Sequence, residues 1–321
     1  MRLKDLGERR VLNDIIFKYL DREENILGID EDAVAYKLPD GQFLVVNVDT
    51  FVKSTDAPPL MTFYYMGVKT VIMTLSDLMA KGAIPKYFLL SASLPSDLKV
   101  EDLEQILSGV KDTCYKFNVK FSGGDLGSAP DVILTGIGIG YARRLLNRSS
   151  AEPGDYVWVT GYFGLTGAAL HYLLKQGRVL NKKVLNKIID YFLNPPICLN
   201  DGLAVSSVAK AAMDSSDGLA ITLWTIAKQS KVKIVIEKLP LTREVIKYAL
   251  WNNLDPRDLV FYGGEEFEIV FTSSLPEEEI INNFKKLGAR IPIRIGVVEE
   301  GSGVFFNGKL LENKGWEHLT T

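Results

Sequence analysis

Apolar residues recur along the chain at spacings that change between helix and strand. In the first half, helical spacing predicts helices over residues 3–20, from Val68 to the turn at Gly82, and over residues 98–117. Apolar and β-branched runs predict strands over 43–49, 86–94 and 131–141. We expect the strand over 43–49 to stop at its acid, and the alternate glycines of the last strand to let another part of the backbone approach closely.

The second half continues this mixture after a break in composition. Residues 143–155 combine basic, small and turn-forming types, so we place a domain boundary there and divide the chain into 1–147 and 148–321. The predicted strands of the second half span 156–160, 232–237, 267–272 and 291–298. Its predicted helices follow Gly167 and cover 182–193, 201–211, 218–230, 242–252 and 276–287. Because strands and helices mix without strict alternation, we predict an α+β fold of two domains with mixed sheets.

The composition narrows the class of protein. A chain of 321 residues, 47% hydrophobic and with a mean hydropathy of +0.08, is typical of a globular protein with room for two cores. The formal net charge of −3 provides no positive surface for duplex nucleic acid or an anionic membrane, so we exclude both partners. The amino-terminal segment is too charged for a secretory signal and no apolar run has the length of a membrane helix, so we predict a cytoplasmic location.

Cysteine and histidine are scarce. Cys114 and Cys198 form no CxxC pair, so we expect two reduced, half-buried thiols rather than a disulfide framework or a zinc site. The two histidines, His171 and His318, argue against chemistry that needs paired imidazoles.

Acidic residues recur where a predicted element meets a turn. They are Asp30, Glu31, Asp32, Asp49, Asp77, Asp125, Asp214, Asp217, Glu265 and Glu266. Singly, each can be interpreted as a helix cap or turn residue, and Asp217 before Gly218 as an N-cap. Asp77 differs because it lies inside a predicted helix, turned away from the apolar stripe. Together, carboxylates on separate loops suit more than one Mg²⁺ and a polyphosphate, so we predict nucleotide binding that requires the metal.

The glycines leave the phosphate-binding device open. The sequence contains neither the P-loop motif nor the dinucleotide-binding fingerprint. Gly161, Gly164 and Gly167 lie between a predicted strand and a predicted helix. They either present backbone amides to phosphate or allow the strand and helix to pack tightly.

Most of these acids fall within short motifs. The motifs are Glu31-Asp32-Ala33, Val48-Asp-Thr-Phe-Val52, Leu75-Ser-Asp-Leu78 with Gly82-Ala-x-Pro85, Gly123-Gly-Asp125, Arg148-Ser-x-Ala-x-Pro-Gly-Asp155, Asp214-x-Ser-Asp-Gly-Leu219, Gly263-Gly-Glu-x-x-Glu268 and Lys314-Gly-Trp316. Their order along nearly the whole chain resembles that of the thiamine-monophosphate kinase family. That family belongs to the ATP-binding superfamily of aminoimidazole ribonucleotide synthetase.

The resemblance implies two α+β domains whose amino-terminal sheets pair across a homodimer. It implies direct in-line transfer of the ATP γ-phosphoryl to thiamine monophosphate, with Mg²⁺ and without a general base. The Mg²⁺ ligands that it implies are Asp32, Asn47, Val48, Asp49, Asp77, Asp125, Asp214 and Asp217. The ATP contacts that it implies are Gly124, Asp125, Arg148 and Ser216, with Arg148 also stabilising charge during transfer. Glu265 and Trp316 are implied at the thiamine end, Trp316 by stacking on the cationic ring.

The chain departs from the family pattern at two positions. Asp30 stands where the family has a glycine, and Glu31 takes the place of the first acid that follows it. Asp56 stands where many members have a substrate-contacting histidine, and nearby Lys53 offers a positive charge instead.

Two other functions stay open at this point. One is an aminoimidazole ribonucleotide synthetase-like, ATP-dependent ligase, which the closing Lys-Gly-Trp disfavours. The other is a non-catalytic nucleotide-binding protein, which has no need for so many acidic ligands.

Overall fold

The computed structural model describes residues 2–21 and 23–316. The strands of the first half are β1 (Val34–Lys37), β2 (Phe43–Val52), β3 (Ile84–Leu94), β4 (Lys120–Ser128) and β5 (Ile133–Ala142). Its helices are α1 (Glu8–Asp14), α2 (Lys53–Asp56), α3 (Phe63–Ala80) and α4 (Val100–Lys116), with 3₁₀ turns at Leu3–Asp5 and Ile16–Lys18.

The first-half strands form one sheet in the order β1-β2-β5-β3-β4. All neighbours are antiparallel except β3 and β4, which run parallel around the connecting helix α4. Helix α3 packs against β2 and β5 through an apolar stripe that includes Val71, Ile72 and Leu75, all fully buried. This packing fixes the face of α3 that carries Asp77.

The second half contains seven strands and seven helices among the described residues. The strands are β6 (Tyr156–Val159), β7 (Ala212–Ser215), β8 (Lys233–Ile236), β9 (Glu268–Ser273), β10 (Ile293–Glu299), β11 (Gly303–Phe306) and β12 (Lys309–Leu310). The helices are α5 (Leu165–Lys175), α6 (Lys182–Leu193), α7 (Leu199–Val208), α8 (Leu219–Ser230), α9 (Arg243–Asn252), α10 (Pro256–Tyr262) and α11 (Glu277–Lys286).

These strands form a second mixed sheet in the order β12-β11-β8-β10-β6-β9-β7, with β8 and β11 parallel. The predicted α+β fold with mixed sheets is confirmed. The two halves share one apolar cluster, in which α3 packs against α7 and β7. Strand β7 and helix α3 therefore bring acids from both halves close together.

Three local predictions are wrong. The helix predicted over 3–20 is broken, because Gly7 takes a left-handed φ of 74° and the helical conformation is lost again at Ile15. Strand β2 continues to Val52 rather than stopping at Asp49, since it pairs with β5 along its whole length. The segment Gly123–Asp125 is part of the edge strand β4 rather than a turn.

The alternate glycines of β5 allow a close approach, but mainly by side chains. A Cβ at Gly136 would overlap the Thr74 hydroxyl of α3, and a Cβ at Gly138 would overlap Asn47 Oδ1. Missing Cβ atoms therefore let α3 lie close to the sheet, which positions the residues described below.

The remaining sequence expectations concern single features. Cys114 and Cys198 are both free, but Cys114 is fully buried rather than half-buried. Within the described residues, no helix has the length and apolar character needed to span a membrane. His318 lies outside the described residues.

Candidate functional site

Three carboxylates from distant parts of the chain meet at the contact between the halves. Asp32 precedes β1, Asp77 lies on α3 and Asp214 on β7, and one carboxylate oxygen of each lies within 4.8 Å of the other two. Ionised carboxylates this close repel one another unless a cation between them neutralises their charge. We call Asp32, Asp77 and Asp214 the acid cluster.

The pKa values of the carboxyl groups at this site reflect their burial and their closeness to one another. Burial, together with the charge of Asp214, raises the pKa of Asp49 on β2 to about 7. Burial and the charge of Asp32 raise the pKa of Asp214 to about 7 as well. Burial, with Asp214 and Asp49 nearby, raises the pKa of Asp77 well above its usual value. A divalent cation would remove the repulsion that causes part of these shifts.

Polar side chains around the acid cluster orient two of its carboxylates. Asn47 Nδ2 donates to Asp77 Oδ2 at 2.9 Å, which turns Asn47 Oδ1 the other way. That oxygen is buried and has no hydrogen-bond partner in the part of the chain that the structure describes. Ser76 Oγ donates to Asp214 Oδ2 at 2.8 Å and orients that carboxylate. Carboxylate oxygens are ligands that Mg²⁺ prefers, so the three acids of the acid cluster fit the ion.

Asp32 differs from the rest of the acid cluster because two cations already contact it. The Arg148 guanidinium contacts Oδ1, and Lys81 Nζ lies 2.8 Å from Oδ2. Although burial raises it, these two charges hold the pKa of Asp32 below its usual value. Lys81 also pairs with Glu31, whose pKa is raised by burial.

Arg148, the predicted ATP contact, lies on these acids. The Arg148 side chain is only 12% exposed. Its guanidinium also donates to the backbone oxygen of Asp30 at 3.1 Å. Asp30 has a left-handed φ of 68°, which explains why a glycine suits that position in the family. As the structure stands, the charge of Arg148 is used mainly to hold the loop of residues 30–32.

Gly124 and Asp125 lie on the exposed edge strand β4, apart from the acid cluster. Asp125 is level with Ser91 of β3, and its side chain is exposed. Gly124 passes so close to Leu90 that a Cβ would overlap the Leu90 carbonyl oxygen. Val48 is also exposed, at 63%. The structure therefore groups Asp32, Asn47, Asp49, Asp77 and Asp214. The side chains of Val48 and Asp125 are exposed at the surface and are not part of this group.

The three carboxyl-terminal motifs, which contain Ser216, Glu265 and Trp316, contact one another through backbone hydrogen bonds. The Glu265 amide donates to the Ser216 carbonyl at 2.5 Å, and the Trp316 amide donates to the Asp217 carbonyl at 3.0 Å. Gly218, not Asp217, is the N-cap of α8, with a φ of 113° and no side-chain cap bond, so the predicted Asp217 cap is wrong. The Trp316 side chain is 53% exposed, which leaves its ring accessible beside Asp217.

The Asp56 carboxylate is engaged locally. Its Oδ2 accepts a hydrogen bond from the Val52 amide at 2.7 Å, just before α2 begins. Lys53 lies with its ammonium 5.6 Å from the centre of the Phe63 ring. These contacts show a structural use for Asp56 and leave its substrate role a prediction.

The sequence analysis did not identify two buried lysines, Lys69 on α3 and Lys81 directly after it. Lys69 Nζ donates to the Phe192 carbonyl at 2.8 Å and to Glu265 Oε2 at 3.0 Å. Lys81 follows the last residue of α3 and is fully buried. A signal existed for Lys69, since it lies three residues before Ile72 on the apolar side of the helix.

The glycines at 161, 164 and 167 serve packing. A Cβ at Gly161 would overlap the Glu268 carboxylate, and one at Gly167 would approach the Leu259 carbonyl to 2.7 Å. The Gly164 amide donates to Glu266 Oε1 at 3.0 Å, so it is already used. Of the two interpretations left open by the sequence, tight packing fits these contacts.

Comparisons with known proteins show the family of the chain. A family model described as "AIR synthase related protein, N-terminal domain" matches residues 30–142. The chain is 36% identical over 314 residues to the thiamine-monophosphate kinase of Pyrococcus horikoshii, covering 96% of each chain. It is 35% identical over 296 residues to that of Nitrosopumilus maritimus, covering 90% of this chain and 93% of the relative.

A solved structure described as "AaThiL complexed with AMPPCP and TMP" has a TM-score of 0.88 to this chain, with 31% identity and 99% of each chain covered. Similarity of this extent spans both halves of the chain. The chain belongs to the thiamine-monophosphate kinase family.

Proposed function

We propose that the chain transfers the γ-phosphoryl group of ATP to thiamine monophosphate, giving thiamine diphosphate and ADP. The observation that carries the proposal is the acid cluster, in a chain whose relatives are named thiamine-monophosphate kinases. The solved neighbour with AMPPCP and TMP supports an ATP site and a thiamine monophosphate site on the same fold. The ligase-like alternative is not favoured, because relatives that match over both halves carry the kinase name.

The chain's own oxygens fit a magnesium site. Asp32, Asp49, Asp77 and Asp214 would hold the ion, and Asn47, Val48, Asp125 and Asp217 complete the proposed set. When bound, Mg²⁺ would neutralise phosphate charge that the acids otherwise repel. Several ions suit so many carboxylates, and their number is part of the proposal.

The remaining roles follow from the charge of each group. Gly124, Asp125, Arg148 and Ser216 are proposed to contact ATP, Glu265 and Trp316 the cationic thiamine end, and Asp56 the substrate. The attacking oxygen belongs to a phosphate that is already ionised at neutral pH, so the chain has no proton to remove. Transfer then depends on alignment and charge stabilisation, which supports a direct in-line step.

Homodimer formation through the first sheet remains part of the proposal. Exposed apolar side chains on its strands, among them Tyr36, Val48, Tyr87, Phe121 and Leu126, support a covered surface there. The division into residues 1–147 and 148–321 and the cytoplasmic location stay predictions from the sequence.

A coupled assay of ADP release tests the function. The assay contains ATP and Mg²⁺, with and without thiamine monophosphate, and the product is identified by mass. We expect thiamine diphosphate only when metal, ATP and acceptor are all present. ADP release without thiamine diphosphate would contradict the proposal, and so would ATP binding without any turnover. Retention of configuration at a chiral γ-phosphorus would contradict the direct in-line step.

A further inference from the structure

Lys81 is an ammonium group built into the acid cluster. Its side chain is fully buried, and Nζ lies 2.8 Å from Asp32 Oδ2 and 3.3 Å from the Ala212 carbonyl oxygen. Nζ also forms an ion pair with Glu31 Oε2. These three partners come from the loop before β1 and from β7, so one ammonium joins both halves of the chain.

The other acids at the site have no such partner. Within residues 2–21 and 23–316, no ion pair involves Asp49, Asp77 or Asp214. The site thus contains acids without an ion pair among the described residues and one acid, Asp32, that is paired with cations of the protein itself. Asp32 nevertheless lies within 4.8 Å of Asp77 and Asp214, close enough to share a cation with them.

Both oxygens of Asp32 lie beside a cation, but only Oδ1 accepts a hydrogen bond among the described residues. Oδ1 contacts the Arg148 guanidinium and Oδ2 faces the Lys81 ammonium. A metal ion on Asp32 Oδ2 would lie beside the Lys81 ammonium, so the two positive charges compete for this oxygen. Lys81 is the one that can yield, because Glu31 and the Ala212 carbonyl would still satisfy its ammonium after it leaves Asp32. In the described part of the chain, the next carboxylates to Arg148 are those of Asp30 and Glu31, each 3.8 Å away and beyond hydrogen-bond distance.

We propose that Lys81 is an internal cation that competes with the divalent metal for Asp32. This inference rests on the metal site of the proposed function. Without metal, Lys81 holds the loop of residues 30–32 against α3 and β7. With metal, Asp32 exchanges the ammonium for the ion, and the energy of the broken pair is subtracted from the metal affinity. Lys81 is a positioning residue that raises the stability of the metal-free protein and lowers its affinity for metal.

Binding of Mn²⁺ to the full chain tests this, with free ion measured by electron paramagnetic resonance and no nucleotide or thiamine phosphate present. We expect Lys81→Met to lower the apparent Kd for Mn²⁺ by about tenfold, the effect of one well-formed ion pair. Lys81→Arg keeps the charge and should leave the Kd near that of the wild type. Lys69→Met is the matched control, because it removes another buried lysine, on α3, that pairs outside the acid cluster.

Thermal unfolding provides a second readout. In EDTA, Lys81→Met should unfold at a lower temperature than the wild type, and saturating Mn²⁺ should narrow that gap. If Lys81→Met does not fold, the double variant Glu31→Gln/Lys81→Met removes both members of one ion pair and should show the same tighter binding.

An unchanged or weaker affinity for Mn²⁺ in the folded Lys81→Met or double variant would overturn the inference, as would the absence of Mn²⁺ binding in every variant. An equal gain in Lys69→Met would also overturn it, since the effect would then be general. The binding measurement contains no substrate, so its failure leaves the kinase proposal standing. A failed kinase assay would equally leave the Mn²⁺ result interpretable.

Discussion

Lys69 Nζ lies 3.0 Å from Glu265 Oε2, and this ion pair ties helix α3 to the loop before β9. The ammonium also lies 4.3 Å from the Phe192 ring centre and 5.3 Å from that of Phe267. Glu265 and Phe267 both have left-handed φ values, 65° and 54°, which cost energy in residues with a Cβ. A buried lysine from the first half therefore holds a strained loop of the second half in place.

Glu265→Gln should destabilise the protein by about 2 kcal/mol, because it leaves the Lys69 ammonium buried without an anion. Glu265 is 26% exposed, so the cost is smaller than for a fully buried pair. Urea denaturation of Glu265→Gln, Lys69→Met and the double variant measures it as a double-mutant cycle. The double variant should regain part of the loss. Strictly additive effects would mean that the pair does not couple the helix to the loop.

Glu266→Gln should change how stability depends on pH. Burial raises the pKa of Glu266 from 4.5 to about 8, and its side chain is fully buried. The folded state therefore binds a proton that the unfolded state lacks, so this stabilisation is complete below pH 4.5 and is lost as pH rises through about 8.

Glutamine mimics the neutral acid at every pH. In wild type, the free energy of unfolding should fall by up to about 1.4 kcal/mol per pH unit between pH 4.5 and about 8 and level off above that, and Glu266→Gln should flatten the fall. Urea denaturation at pH 6 and pH 9 measures both slopes. Parallel slopes in the two proteins would refute the assignment. Glu278→Gln, an exposed acid on α11, serves as the control.

Asp125→Asn should lower kcat by at least about a hundredfold while the melting temperature stays the same. The substitution removes one charge at an exposed position on β4 and keeps the size of the side chain. Steady-state ADP release and thermal unfolding together measure the two effects. Asp97→Asn is the matched control, being an exposed acid outside the proposed site. Normal turnover in Asp125→Asn would rule out Asp125 as a ligand for metal or ATP.

Gly124→Ala should cost about 1–3 kcal/mol of stability, because the new Cβ would overlap the Leu90 carbonyl oxygen and push β4 away from β3. Gly123→Ala is a close control, since a Cβ there meets no atom within 4 Å although Gly123 also has a positive φ, 146°. Urea denaturation should show the larger loss at Gly124. Equal losses would mean that φ strain, rather than contact with Leu90, decides the cost.

Trp316→Ala should raise the KM for thiamine monophosphate by about tenfold and leave the KM for ATP unchanged, because stacking on a cationic ring is lost. Trp316→Phe retains a ring and should lose less. Initial-rate kinetics with each substrate varied in turn separate the two constants. A parallel rise in both KM values would argue for a general structural role of Trp316 instead.

Residues whose role is local were predictable from the sequence. Asp77 was recognised because a single acid stood off the apolar stripe of a strongly periodic helix. The extension of β2 beyond Asp49 could not be predicted from the sequence, because β5, the strand that pairs with it there, lies far along the chain. The extended conformation of Gly123–Asp125 has the same cause, since only pairing with β3 beside it makes those residues a strand.

The buried lysines show most clearly what could not be predicted from the sequence. Lys69 and Lys81 are partnered by Glu265, Glu31 and Asp32, all remote in sequence. A lysine inside a helix is ordinarily solvated, so its spacing alone gives no reason to pair it with a particular acid. The sequence motifs identified the acids of the site, but the cations that hold them became apparent only from the fold.

Asp32 and Asp77 come from the first half of the chain and Asp214 from the second, so any ion held by all three acts as a reversible cross-link. The unfolded chain keeps these residues far apart and has no equivalent site. Metal affinity would therefore be converted into resistance to unfolding, in proportion to the logarithm of the free ion concentration. The concentration of divalent ion around the protein would then set how firmly its two halves stay together.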